Sequence, residues 1–118
     1  MLERRLVVLI ALQSYAVGAF LLLLPEWSAR LGGFERVAPA FFARQAGVFH
    51  FLVATAYLLE YFQRGSVTLL LLAKSCAVVF LLAMTLLEPG PWIVPATGVA
   101  DALMGIAAFV VHRRSSGA

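Results

Sequence analysis

WIVPATGVADALMGIAAFVV, residues Trp92–Val111, is the stretch that decides the fold. Twenty residues at a helical rise of about 1.5 Å cover roughly 30 Å, the thickness of a bilayer's hydrocarbon core. Its only charge is Asp101, near the middle. A carboxylate at that depth is costly unless it meets a partner or serves a purpose. The apolar stretch before it, Val67–Leu87, also carries one charge, Lys74. That pair is the strongest lead in the chain.

Working outward, Leu6–Leu24 and Phe41–Phe62 have similar length and apolar character. In lipid the backbone must satisfy its own polar groups, so all four stretches are predicted to be helices. They take up most of the 118 residues and leave no room for a separate soluble domain. The expected fold is all-α: one transmembrane domain, 1–118, an integral membrane four-helix bundle. Composition points the same way, with 63% hydrophobic and 13% charged residues. A soluble globular domain has a very different mix.

Charge placement says more than the formal total of +3. Arg4 and Arg5 precede the first span, Arg64 lies between the second and third, and Arg113 and Arg114 follow the fourth. The opposite connections hold Arg30 and Arg36 balanced by Glu26 and Glu35, then Glu88 with no basic residue. The bias predicts both termini in the cytoplasm, in a multi-pass protein of the inner membrane. Arginines dispersed at helix ends do not form a nucleic-acid surface, so no nucleic-acid partner is expected. The N-terminal run is longer than a secretory signal core, and Leu24-Pro25-Glu26-Trp27 follows it in place of a small-residue cleavage site. It reads as a retained first span. Cys76 has no second cysteine to pair with and reads as a small packing residue in mid-span.

Pro25 should end the first helix, since it cannot donate to the ladder. The connection 26–40 places Trp27, Leu31 and Phe34 at spacings of four and three, on one helical face. A short amphipathic piece in the outer headgroup region, or a strap over the mouth of the bundle, is expected there. Pro39 suits the start of the second helix. Gln63-Arg64-Gly65-Ser66 and Glu88-Pro89-Gly90-Pro91 read as tight turns. The first of these should make spans two and three antiparallel neighbours. Ser14 with Gly18, Ala43 with Gly47, and Gly98, Ala102 and Gly105 mark faces where helix backbones approach closely.

The polar residues fall near one level. Asp101 is about at the midplane of its span, and Lys74 lies roughly 4–5 Å to the cytoplasmic side of its own span's centre. Gln13, Ser14 and Tyr15 occupy the centre of the first span, and His50 sits slightly to the outer side in the second. Three readings compete for this layer. It is a structural core in which Lys74 and Asp101 neutralise each other. It is a proton- or cation-coupled transport site, with Asp101 titrating and His50 as a relay. Or it is a pocket holding a quinone or another lipid.

No cofactor follows from the residues, although a quinone or lipid is compatible with the third reading. Metal binding has no support, because His50 and His112 lie at opposite ends and no clustered ligand set with metal spacing occurs. Glu60 and Arg64 read as a surface pair four residues apart. Arg44, near the outer end of the second span, can reach headgroups or close the mouth of a pocket. Tyr57, Tyr61, Trp27 and Trp92 fit interfacial anchoring or packing. Nucleophile–base pairs, glycine-rich phosphate loops and zinc motifs do not appear, so no familiar hydrolytic or phosphoryl-transfer chemistry is indicated.

Arg44-x-x-Gly47 opening the second span, Lys74 in the third, and Asp101 with Gly105 in the fourth resemble the small DoxX-like membrane proteins. The resemblance implies a four-helix protein of a bacterial inner membrane with an accessory role, some relatives being linked to membrane oxidoreductases. Small multidrug transporters share the length and layout, but carry an essential glutamate in the first span where this chain has Gln13. The expected function is a non-catalytic accessory or assembly subunit, alone as a homo-oligomer or within a larger membrane complex. The alternatives are a transporter using Asp101 and a quinone- or lipid-binding subunit of a membrane oxidoreductase.

Overall fold

The computed structural model describes residues 2–34, 40–88 and 90–117. Five helices follow in order: α1 (Leu2–Leu23), α2 (Pro25–Leu31), α3 (Phe41–Arg64), α4 (Thr68–Leu87) and α5 (Ile93–Gly117). Among the described residues the regular structure is all helical. Four of the helices, α1, α3, α4 and α5, are long and apolar enough to cross a membrane. Many of their large apolar side chains stay outside the fold; Val79 is 70% exposed and Leu86 84% exposed. A soluble monomer rarely presents so continuous an apolar surface, whereas lipid covers it without penalty. The long dimension of the molecule, 49 Å, is sufficient for a hydrocarbon core with its headgroup layers.

The helix ends follow from local chemistry. Pro25 does more than stop α1: it occupies the first position of α2, where its missing N–H costs nothing. The expected amphipathic connection is therefore a seven-residue helix after a break at Leu24. The roles expected of Pro39, Glu35 and Arg36 lie outside the described residues, as does Pro89 in the outer turn. α3 ends at Gly65, which adopts a left-handed φ of 64° while its N–H reaches the Tyr61 carbonyl. Only glycine enters that conformation without strain.

Glu60 is used differently from the expected pairing with Arg64. Its Oε1 accepts the Leu69 N–H at 2.8 Å, satisfying a free donor in the first turn of α4. Ser66 Oγ accepts the Thr68 N–H beside it. A carboxylate in the last turns of α3, four residues before its end, thus fixes where α4 starts.

The long helices pack as two antiparallel pairs, α1 with α3 and α4 with α5. Lighter contacts join α1 to α5 and α3 to α4. The short turn between α3 and α4 makes them neighbours, as expected, yet α3 packs far more extensively on α1 than on α4. Small residues explain this. A Cβ on Gly47 would fall 2.7 Å from the Gly18 carbonyl oxygen, and one on Gly18 would fall 2.8 Å from the Gly47 carbonyl oxygen. The two backbones touch at that crossing, the close approach that small residues allow between membrane helices.

Among the described residues, all four long helices meet in the half that contains both chain ends. Val7 and Ile10 from α1, Tyr57 from α3, Leu70 from α4 and Ala108 from α5 form one buried cluster there, together with Val67. Toward the other end, burial at Gly18, Gly47 and Gly98 is within each pair. The pairs are joined again at that end by α2. Trp92 Nε1 donates to the Leu31 carbonyl at 2.9 Å, and the Ile93 N–H donates to the Gly32 carbonyl at 3.1 Å. Gly33, with φ of 97°, lies where a Cβ would meet the Trp92 ring at 2.8 Å. In the described part of this connection, α2 and Gly32 tie the first helix pair to the start of α5.

Candidate functional site: a buried ion pair between α4 and α5

Lys74 Nζ donates to Asp101 Oδ1 at 2.8 Å. Both residues are 6% exposed. Their meeting follows from helix register. Lys74 is in the second turn of α4, Asp101 is beyond the second turn of α5, and the antiparallel pairing brings those levels together. Gly105, one turn from Asp101, makes room: a Cβ there would come 3.3 Å from the Lys74 Cβ. Gly98, one turn the other way, lies against Leu81, again with only 3.3 Å between the would-be Cβ and its neighbour. The glycines bring the backbones close enough for the lysine stem to lie flat and its ammonium to reach the carboxylate.

The distance is that of a charge-assisted hydrogen bond. Away from water, opposite charges attract strongly, while each separately would carry a large desolvation cost. The pair therefore acts as a conditional clasp. It is tolerated when complete and severely unfavourable when half is removed.

The remaining polar residues divide into those near the pair and those elsewhere. His50, half-buried on α3, is close enough to feel the charges of both Lys74 and Asp101. Tyr57, 3% exposed and part of the core, feels the charge of Asp101. Of the two expected roles, anchoring or packing, Tyr57 takes packing: it is a member of the buried cluster with Val7 and Leu70. Ser14, 2% exposed, faces inward from α1. Gln13 Oε1 is buried and makes no hydrogen bond with the described residues. A buried carbonyl oxygen of this kind is where an ordered water or a ligand donor would be accommodated.

Tyr15 and Arg44 belong to other places. One residue along a helix is a rotation of about 100°, so Tyr15 turns away from the face that Ser14 presents. The Thr55 hydroxyl donates its one proton to the Phe51 carbonyl at 2.9 Å, so Tyr15 is the donor in its own bond to Thr55 Oγ1. That bond is on the exposed α1–α3 surface, with the Tyr15 ring against Phe51. Arg44 is exposed and lines a cleft at the α2 end of the molecule. Cys76, expected to pack inside, is exposed on α4. Lys74, two residues earlier, takes the inward face.

A second polar contact was not foreseen. Glu3 Oε2 and His112 Nδ1 are 2.8 Å apart, with Glu3 9% exposed. This contact joins α1 to α5, the two terminal helices. Glu3 is in the first turn of α1, where a carboxylate suits the helix dipole. The distance in sequence, 109 positions, hides the pairing from any local pattern. Its legible trace was a carboxylate near the start of the first span and an imidazole near the end of the last, which an even number of spans returns to the same side.

Among the described residues, no three His, Cys, Asp or Glu side chains converge as a metal-ligand set. No protein family model, curated protein or solved structure matches this chain.

Proposed function

We propose that this chain is a non-catalytic accessory or assembly subunit of a membrane complex, built around the Lys74–Asp101 clasp. The observation that carries the reading is the 2.8 Å contact of those two side chains, buried in the interface of a helix pair. It gives both intramembrane charges a structural use. The absence of familiar catalytic motifs in the sequence is consistent with this role, and the apolar faces of the four long helices are available to lipid or to partner helices.

The orientation belongs to the same proposal: an inner-membrane protein with both termini cytoplasmic, on the basis of Arg4, Arg5, Arg64, Arg113 and Arg114. So does kinship with the DoxX-like proteins. Its support is the sequence layout of Arg44 and Gly47 opening the second span, Lys74 in the third, and Asp101 with Gly105 in the fourth.

Native mass spectrometry of gently solubilised membranes tests the role. The proposal expects the chain within a larger assembly, hetero- or homo-oligomeric. Recovery as a lone monomer that turns over a specific ligand would overturn it. The transport reading makes a separate prediction: Asp101→Asn would abolish pH-dependent flux in liposomes and leave the fold intact. The accessory reading expects no such flux in the unmodified chain.

A further inference from the structure

We propose that the cleft between α2 and the start of α3 holds the phosphate headgroup of an anionic phospholipid. This inference is independent of the accessory-subunit reading, because it depends only on the cleft and on the membrane-spanning helices beside it.

The cleft is open on one side and offers about 650 Å³, more than an inorganic phosphate requires. Two arginines from different elements line it: Arg30 in the last turn of α2 and Arg44 in the first turn of α3. Glu26 is the opposing acidic residue, so among the described residues the lining carries a positive excess. Arginine presents a planar fork of donors that matches two phosphate oxygens at once. Leu24 and Leu31 supply an apolar wall, and Trp27 completes it. The Trp27 ring packs on Phe20 at 5.9 Å, which ties the wall to the lipid-facing surface of α1.

The level of the cleft determines the source of the phosphate. It opens where α1 has just ended at Leu23 and α3 is about to begin at Phe41, the depth at which an apolar span gives way to headgroups. Tryptophan is enriched at that depth for its amphipathic ring. A cleft that offers arginines beside leucines and a tryptophan suits a molecule with a charged head and an apolar tail. Free phosphate would use only the first half of that surface.

The test uses the full-length chain in neutral detergent, with retention measured by native mass spectrometry. Phosphatidylglycerol, phosphatidylcholine and inorganic phosphate are offered separately. The expected result is phosphatidylglycerol retained about tenfold more strongly than phosphatidylcholine, a preference that falls to within about twofold in Arg30→Gln/Arg44→Gln. Equal retention of the two lipids, or a preference unchanged in that variant, would overturn the proposal. Retention of inorganic phosphate equal to that of phosphatidylglycerol would overturn it too, because the apolar wall would then have no part. Should the double variant fail to fold, the unmodified chain decides: its phosphatidylglycerol retention must weaken as salt rises, since salt screens the exposed arginines. Salt-independent retention would contradict the assignment.

Discussion

Gly47→Ala adds one methyl group at the α1–α3 crossing, and its effect can be worked from the geometry. The new Cβ would lie 2.7 Å from the Gly18 carbonyl oxygen and 2.9 Å from the Leu22 amide nitrogen. Both are backbone atoms, so no side-chain rotation relieves the clash. Restoring an ordinary 3.4 Å contact requires the helices to separate by about 0.7 Å, a gap that forfeits a quarter to a half of each dispersion contact nearby. Overpacking of this kind costs about 1–3 kcal/mol. Alanine's better helix propensity returns about 1 kcal/mol. The net expectation is a loss of up to about 2 kcal/mol, carried by strain against the backbone. Unfolding of the reconstituted chain by a denaturing detergent, followed by circular dichroism, measures it. Gly90→Ala is the internal control: a Cβ there meets nothing within 4 Å, and its effect should stay within about 0.5 kcal/mol. If Gly47→Ala stabilises the chain by the full propensity gain of about 1 kcal/mol, the two backbones do not touch where this account puts them.

Three further outcomes are expected. Trp92→Phe removes the Nε1 donor to the Leu31 carbonyl and should cost about 1 kcal/mol, seen as earlier proteolysis of the α2 segment. Glu60→Ala leaves the Leu69 N–H at the start of α4 without its acceptor and should cost about 1 kcal/mol in the same unfolding assay, whereas Arg64→Ala should change it far less. Cys76 is exposed on α4, so Cys76→Leu should leave the unfolding free energy within about 0.5 kcal/mol. A loss of about 1 kcal/mol or more from overpacking would place it inside the bundle.

The four long helices were legible because their requirement is simple. A run of about twenty apolar residues has one stable backbone conformation in hydrocarbon. Asp101 and Lys74 were legible for a related reason: single charges in such runs must find each other or water, and a short turn brings the two spans together. Gly18 and Gly47 were visible as small residues at helical spacing, although spacing alone does not reveal that they face one another. Glu3 with His112 was hidden, because the pairing depends on α1 and α5 closing the bundle. Glu60 was misread for a similar reason. On its own helix the neighbour four residues on is Arg64, but the tight turn at Gly65 puts the α4 amides closer to hand. Tyr15 was assigned to the interior by depth; rotation about the helix axis sends it outward to Thr55. Depth is readable from residue count, while facing depends on which helices pair.

The clasp itself is tested most directly by a double-mutant cycle on unfolding free energy with Lys74→Met, Asp101→Asn and the two combined. Removing one partner strands the other charge among apolar side chains and should cost about 3–5 kcal/mol for either single change. The combined variant strands nothing, so its loss should fall well short of the two single losses added together. Strict additivity, with each substitution behaving as though the other side chain were absent, would contradict the account.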